Sequence, residues 1–371
     1  MIQVSTPSRI CLFGEHQDYL GLEVIASAIN LRFSTKAEKR SDSLLRIRIR
    51  DKSICELGAK NTDNKYEEYV IDLSKELVYE SKRDYFKSIV NVLRKAGFTI
   101  PGADVTMDSE IPIGKGMCSS TTMVLVLTAT LAALSDQPER AKDAKEMALL
   151  AWKAEVEEFN EPGGMMDHYA SALGGLVHLD FSDGTAKPTP LDLKLDGVFI
   201  LFDSLQDKDT IKVLGDSKYP TLEAIKELNP YGITSIRDFY NDPSLEKYVD
   251  TLDAFHQQKV RANINNYRIQ REALSLIQSG RMTDEKMGEL LNLHQANLRD
   301  GLQISTPTID KILSVALENG AYGGKFNGSG GGGCLYCYAP ANKADQIVAA
   351  ANALGYPAMV LTMDKGLTVC D

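Results

Sequence analysis

Four short segments carry residue types whose spacing suits chemistry. The first is Ile111-Pro-Ile-Gly-Lys-Gly-Met-Cys-Ser-Ser-Thr121. Gly114 and Gly116 permit tight turns, and an apolar helix follows whose first N–H groups have no partner inside the helix. Those amides, with the helix dipole, form an anion site of the kind that holds phosphate. Ser119 and Ser120 stand where a hydroxyl could ligate magnesium or simply cap the helix. No GxxxxGK[ST] sequence occurs, so a P-loop fold is not indicated. The second segment, Gly14-Glu-His-Gln-Asp-Tyr-Leu-Gly21, follows Arg9. Glu15, His16 and Asp18 gather acceptors and a donor at a strand end, as polyol hydroxyls require; singly, each reads as a solvated loop residue.

In the third segment, Gly163-Gly164 precedes Asp167, which should open a short helix. It reads either as a helix-start carboxylate or, beside Met165 and Met166, as a buried functional group. The fourth, Gly323 to Cys334, formally satisfies GxGxxG at Gly328, Gly330 and Gly333. A strand-like Cys-Leu-Tyr-Cys-Tyr follows it where a dinucleotide fold needs a helix. So many glycines still imply a close backbone approach, to a ligand or to another loop, or else a flexible hairpin. Cys334 and Cys337 lack a second ligand pair, so no zinc is expected and both read as strand residues.

The elements that must position these segments are partly legible. Ile2 to Val4 and Arg9 to Phe13 read as strands around a Thr-Pro-Ser break, with further strands at Phe33 to Ala37, Leu44 to Ile49, Val105 to Met107 and Leu176 to Phe181. Phe86, Ile89, Val90 and Leu93 mark one face of a helix over Tyr85 to Lys95. Pro138 to Glu158 reads as another, with Met147, Leu149, Leu150 and Trp152 inward. In the second half, Val198 to Phe202, Leu335 to Tyr338 and Ala358 to Leu361 read as strands. Leu222 to Leu228, Pro243 to Ser275, Met282 to Arg299 and Ala341 to Ala353 read as helices. The turn-rich stretch Ser182 to Pro190 is the expected boundary of an α+β protein with two closely packed parts.

Composition bounds the function. A chain of 371 residues suggests two domains at roughly 150 residues each. A formal net charge of −10 argues against a nucleic-acid surface, which needs clustered cations. The six cysteines are scattered, and Met1-Ile-Gln-Val-Ser has no basic region followed by an apolar one. A cytoplasmic protein with free thiols is expected. Met117 to Ser135 carries no charge but is rich in Ser, Thr and Ala, which fits a buried helix better than a membrane span.

Together the segments resemble the ordered motifs of the GHMP kinases, most closely the galactokinases. The pattern P-x-R-x-x-x-x-G-E-H-x-D-Y is met by Pro7, Arg9, Gly14, Glu15, His16, Asp18 and Tyr19. P-x-G-x-G-L-x-S-S is met by Pro112, Gly114, Gly116, Ser119 and Ser120. Glu155, Pro162, Gly164, Met166 and Asp167 align with the stretch holding the family's metal-binding glutamate and catalytic aspartate. His294, Leu298, Arg299, Ser305, Pro307 and Asp310, then Gly328 to Cys334, match the later motifs. The departures are Gln17 for Thr, Leu20 and Leu22 in place of Asn-Gly-Gly, Met117-Cys118 for Leu-Ser, and Thr121 for Ala. A sugar-holding Tyr-Asn-x-Arg-Arg-x-x-Cys is replaced at best by Tyr267 to Glu272.

The resemblance implies a two-domain GHMP kinase fold: residues 1–190 like ribosomal protein S5 domain 2, residues 191–371 an α/β sandwich, and the active site between them. It implies an ATP-dependent kinase for the anomeric hydroxyl of a hexose, galactose first. Another acceptor (N-acetylgalactosamine, a uronic acid or mevalonate) or a non-catalytic sugar sensor is the alternative. Asp167 would be the base and Arg9 its cationic partner, with Glu15, His16 and Asp18 reading the sugar. Gly114, Lys115, Gly116, Met117, Cys118, Ser119 and Ser120 would hold ATP, and Ser120 and Glu155 would hold Mg²⁺. The partners are then a sugar and ATP, without nucleic acid or membrane, and the chain a monomer or weak homodimer.

Overall fold

The computed structural model describes residues 1–50, 66–112 and 115–370. Two long strands rich in β-branched and apolar residues form its base: β1 (Ile2–Phe13) pairs antiparallel with β2 (Glu23–Lys39). The expected break at Thr6-Pro-Ser8 is taken up as a register shift between Pro7 and Ser8, a bulge where the missing proline N–H is tolerated. β3 (Leu44–Arg50), β4 (Tyr66–Asp72) and β5 (Ala103–Ser109) continue the sheet past the later half of β2. β6 (Leu176–Asp180) and β7 (Lys187–Leu191) continue it past the earlier half. Four helices pack on this sheet and share its core: α1 (Tyr85–Lys95), α2 (Ser119–Leu134), α3 (Ala144–Trp152) and α4 (Met166–Leu173). α2 is buried at nearly every position from Thr121 onward, which accounts for its lack of charge. Among the described residues no helix is long and apolar enough to cross a membrane.

The segment Pro138 to Glu158 is not one helix. A 3₁₀ turn (Pro138–Lys142) stops at Asp143, whose carboxylate caps α3 by accepting from the N–H groups of Lys145 and Glu146. A π turn (Lys153–Glu157) then carries Glu155 inward, while Leu149 and Trp152 are only half-buried.

The second sheet runs β11-β8-β10-β9, entirely antiparallel: β8 (Gly197–Asp203), β9 (Gly323–Phe326), β10 (Cys334–Pro340) and β11 (Ala358–Leu361). α5 (Thr210–Leu228), α6 (Ile236–Asn241) and α7 (Ala254–Gln278) form a helical layer with its own small core, which includes Leu22. Asp253 caps α7, so the expected helix from Pro243 to Ser275 is split, its first part a 3₁₀ helix (Pro243–Thr251). α8 (Asp284–Ala296), α9 (Pro307–Glu318) and α10 (Ala344–Ala353) cover the second sheet.

The expected division at 190/191 falls at the end of β7, and the chain does not stay in the second part after it. β12 (Thr368–Cys370) pairs with β1, and Arg32 binds Asp364 and the carbonyls of Lys365 and Gly366. One core runs across the junction, joining Ile269, Leu274, Met287 and Tyr336 to the first sheet.

Candidate active site

A cavity of about 840 Å³ lies where β1, the 14–22 loop, the starts of α2 and α4, the β8–α5 loop and the glycine run meet. The Gly163-Gly164 turn and the start of α4 deliver Asp167 to it, and β1 delivers Arg9. Arg9 Nε and Nη2 both bind Asp167 Oδ1, at 2.8 and 2.7 Å. Among the described residues Oδ2 of Asp167 has no partner, so one oxygen stays free toward the cleft. Arg9 is buried; burial alone would lower its pKa, but Asp167, Cys118 and Glu15 raise it, so the guanidinium stays charged.

Asp18 stands beside this pair. Its Oδ2 accepts the N–H of Met166 at 3.2 Å, and a Cβ on Gly164 would lie 1.9 Å from the same oxygen. Glycine is required there for the carboxylate to approach the α4 turn. Burial, and then Asp167, push Asp18 up to about 6.

Gly114 lies outside the described residues. Beyond it, Gly116 adopts φ +77°, and Cys118 adopts φ +46° as the residue before α2. The helix start therefore opens into the cleft with Ser119 half-buried and Ser120 exposed. Lys115 Nζ lies 3.1 Å from Asp207 Oδ1 of the β8–α5 loop. Met117 does not present its side chain to a ligand, because that side chain is fully buried with its Sδ 3.3 Å from Asn327 Nδ2.

Glu155 is buried at the cleft floor, with Oε2 2.9 Å from His168 Nε2. Burial raises Glu155, but His168 and the hydroxyls of Ser120 and Thr121 outweigh it and hold the carboxylate below its usual range. An ionised carboxylate beside a hydroxyl is a hard-oxygen donor set that fits magnesium, an ion that keeps several waters. Among the described residues no group of three or more His, Cys, Asp or Glu could hold a metal alone.

Glu15 and His16 line the cleft, and each already has partners within the protein. Both Glu15 oxygens are taken, one by the Lys325 ammonium and one by the Gly328 N–H at 2.8 Å. His16 Nε2 lies 2.9 Å from the Ser329 carbonyl, which can only accept, so Nδ1 must accept the Tyr19 hydroxyl at 2.7 Å. Burial lowers His16 to about 3, leaving it neutral. The two side chains fasten the 14–22 loop to the glycine run, while Asp18 accepts from the Met166 N–H at the start of α4.

The glycine run packs on the phosphate loop and also lines the cleft. Cys334 N–H donates to Lys115 O at 2.6 Å, and Cβ atoms on Gly328 and Gly333 would meet Gly116 O and Lys115 O at 2.8 and 2.3 Å. Cys334 and Cys337 are buried strand residues of β10 with free thiols. The His294 to Asp310 segment is scaffold: His294 stacks on Phe13, Ser305 donates to Asp310, and Pro307 opens α9. Sequence reading passed over Lys325, Asn327, His168 and Lys208. Lys325 and Asn327 sat within a motif noted only for glycine, and nothing local marks Lys208.

Three family models match the chain: GHMP kinases N terminal domain at residues 84–175, GHMP kinases C terminal at 273–357, and a galactokinase galactose-binding signature at 2–37. The chain is 27% identical to a galactokinase of Glaesserella parasuis over 93% of its own length and 86% of the relative's. It is 26% identical to a mevalonate kinase of Thermococcus sibiricus, covering 100% and 98%. Its fold is similar to that of Lactococcus lactis galactokinase complexed with galactose, with TM-score 0.80 at 23% identity, covering 99% of this chain and 95% of that one.

Proposed function

The chain belongs to the GHMP kinase family, and from that premise we propose that it transfers the γ-phosphoryl group of ATP to the anomeric hydroxyl of a hexose, galactose first. One observation carries the reading: a carboxylate with one oxygen free, Asp167, is clamped by a buried arginine and faces the same cavity as the helix start of a phosphate-type loop.

Phosphoryl transfer needs positioning, charge neutralisation and an acceptor for the hydroxyl proton. Asp167 Oδ2 takes that proton as the sugar oxygen attacks. Arg9, fixed through Oδ1, holds the carboxylate in place and directs its remaining Nη1 donor at the transferring group. The N–H groups that open α2 receive the phosphates of ATP, with Gly116 allowing their close approach. Ser120 and Glu155 hold Mg²⁺, with His168 orienting Glu155. That ion, when bound, neutralises phosphate charge. Asp18 accepts from ring hydroxyls, and the galactose-binding signature at residues 2–37 includes its loop.

The test is a panel of monosaccharides and mevalonate with Mg-ATP, read by ADP release. Galactose should give the highest kcat/KM. The nearly full-length likeness to a mevalonate kinase makes mevalonate the informative rival. Its carboxylate would face Asp18 and Asp167, so turnover of mevalonate above any hexose would replace the sugar reading. Binding of galactose without ADP release would make the chain a sensor.

A further inference from the structure

The middle of α7 carries amides at positions that geometry assigns to the core. Asn263, Asn266 and Gln270, spaced three and four residues apart, share one face of the helix. Further along, the same face turns apolar at Ala273 and Ile277 and packs into the main core. The three amides are just as enclosed, none more than 2% exposed. Gln17 of the 14–22 loop is also fully buried and donates its Nε2 to Asn263 O at 3.2 Å. Among the described residues, six amide atoms here have no protein partner. They are Gln17 Oε1, Asn263 Oδ1, Oδ1 and Nδ2 of Asn266, and Oε1 and Nε2 of Gln270. An amide buried without a partner is costly, and buried polar groups are nearly always bonded to protein or to ordered water. Donors and acceptors both stand open, which neither a cation nor an anion alone could serve. Water gives and accepts hydrogen bonds alike.

We infer that Gln17 and the α7 amides enclose a cluster of ordered water, sealed from solvent, that holds the 14–22 loop and with it Asp18 in place. A buried water makes about three hydrogen bonds, so six open atoms require about two molecules. Gln17 is the positioning residue. Its N–H donates to Gly14 O at 3.0 Å, and its carbonyl accepts from Leu20 and Leu22 at 3.0 and 3.1 Å. A shift of Gln17 therefore passes directly to the turn that carries Asp18. The far side of the cluster is fixed as well, because Asn263 Nδ2 donates to Thr221 Oγ1 of α5 and to Lys259 O. The effect on sugar binding rests on the sugar-kinase reading; the water site does not.

The double variant Asn266→Leu/Gln270→Met keeps the face filled and removes four of the six open atoms. In the ligand-free chain, ¹⁷O magnetic relaxation dispersion of water should count about two fewer long-lived molecules than in the wild type. The melting temperature should fall by several degrees, because Gln17 Oε1 and Asn263 Oδ1 lose their partners. Gln270→Met alone, should the double variant not fold, must still lower the count. Gln17→Met should raise the KM for the sugar several-fold while kcat and the KM for ATP hold. An unchanged water count overturns the cluster, and so does a rise in melting temperature, the result expected when dry unpaired amides are replaced. Equal shifts in both KM values, or none in either, overturn the positioning role. The water count needs no acceptor, so a chain inactive on every hexose would sink the sugar reading and leave the cluster still judged.

Discussion

In the proposed reaction Asp167 serves as the base, and Arg9 takes only one of its oxygens. Replacing it with Asn keeps the shape and removes the basicity, so Asp167→Asn should lower kcat by about 10²–10⁴-fold with ATP affinity unchanged. Equal turnover in the variant would remove Asp167 from the mechanism. Asp18 carries a pH consequence of its own. Its carboxyl is pushed up to about 6, so the charged acceptor is present above that pH and lost below it. The kcat/KM for sugar should therefore drop as pH falls through about 6, and Asp18→Asn should flatten that limb. At this scale the sequence was informative where a residue's role is set within its own motif. The pairing of Arg9 with Asp167 was legible, though 158 positions separate them. The protein partners of Glu15 and His16 were not legible, because Lys325 and Ser329 lie more than 300 positions away. Spacing reveals an acceptor's presence, not whether it is already occupied.

At the scale of elements, the site depends on a few local departures from regular structure. The Gly163-Gly164 turn is one, because Asp18 occupies the space a side chain at 164 would need. Gly164→Ala should displace that carboxylate and raise the sugar KM several-fold while the ATP KM holds; matched shifts in both would point to general disruption. The π turn at Lys153–Glu157 is another. An extra residue in a helical turn rotates the side chains beyond it, and here it places Glu155 under Ser120 and Thr121. Periodicity located this helical stretch but could not resolve its three segments, since each is too short to show a full pattern. α2 was legible throughout, because sixteen uncharged residues after a glycine loop have few other places to go.

At the scale of the whole molecule, buried ion pairs tie the first sheet and its loops to β9 and α7. Lys325 and Glu15 are almost wholly enclosed and join β9 to the 14–22 loop. Lys325→Met would strand an unpaired buried carboxylate, at a cost of about 3–5 kcal/mol, and should depress the melting temperature more than any surface change. Glu23, at the head of β2, binds His178 of β6 and Tyr267 and Arg271 of α7. Burial would raise Glu23, yet these partners prevail and hold it at about 2, below its ordinary 4.5. Stability from this network is complete above pH 4.5 and disappears as pH falls toward 2. The urea midpoints of wild type and Glu23→Gln should differ at pH 6 and converge on acidification. The α+β class followed from the mixture of strand and helix patterns. The return of β12 to β1 did not, because three residues at a chain end carry no pairing signal.

The most direct measurement is ³¹P and ¹³C NMR of the product formed from galactose and Mg-ATP by the wild-type chain and by Asp167→Asn. The account requires a single sugar phosphate esterified at the anomeric carbon with the wild type, and almost none with the variant over the same period. Phosphate on any other carbon, or the same ester formed at the same rate without the carboxylate, would contradict it.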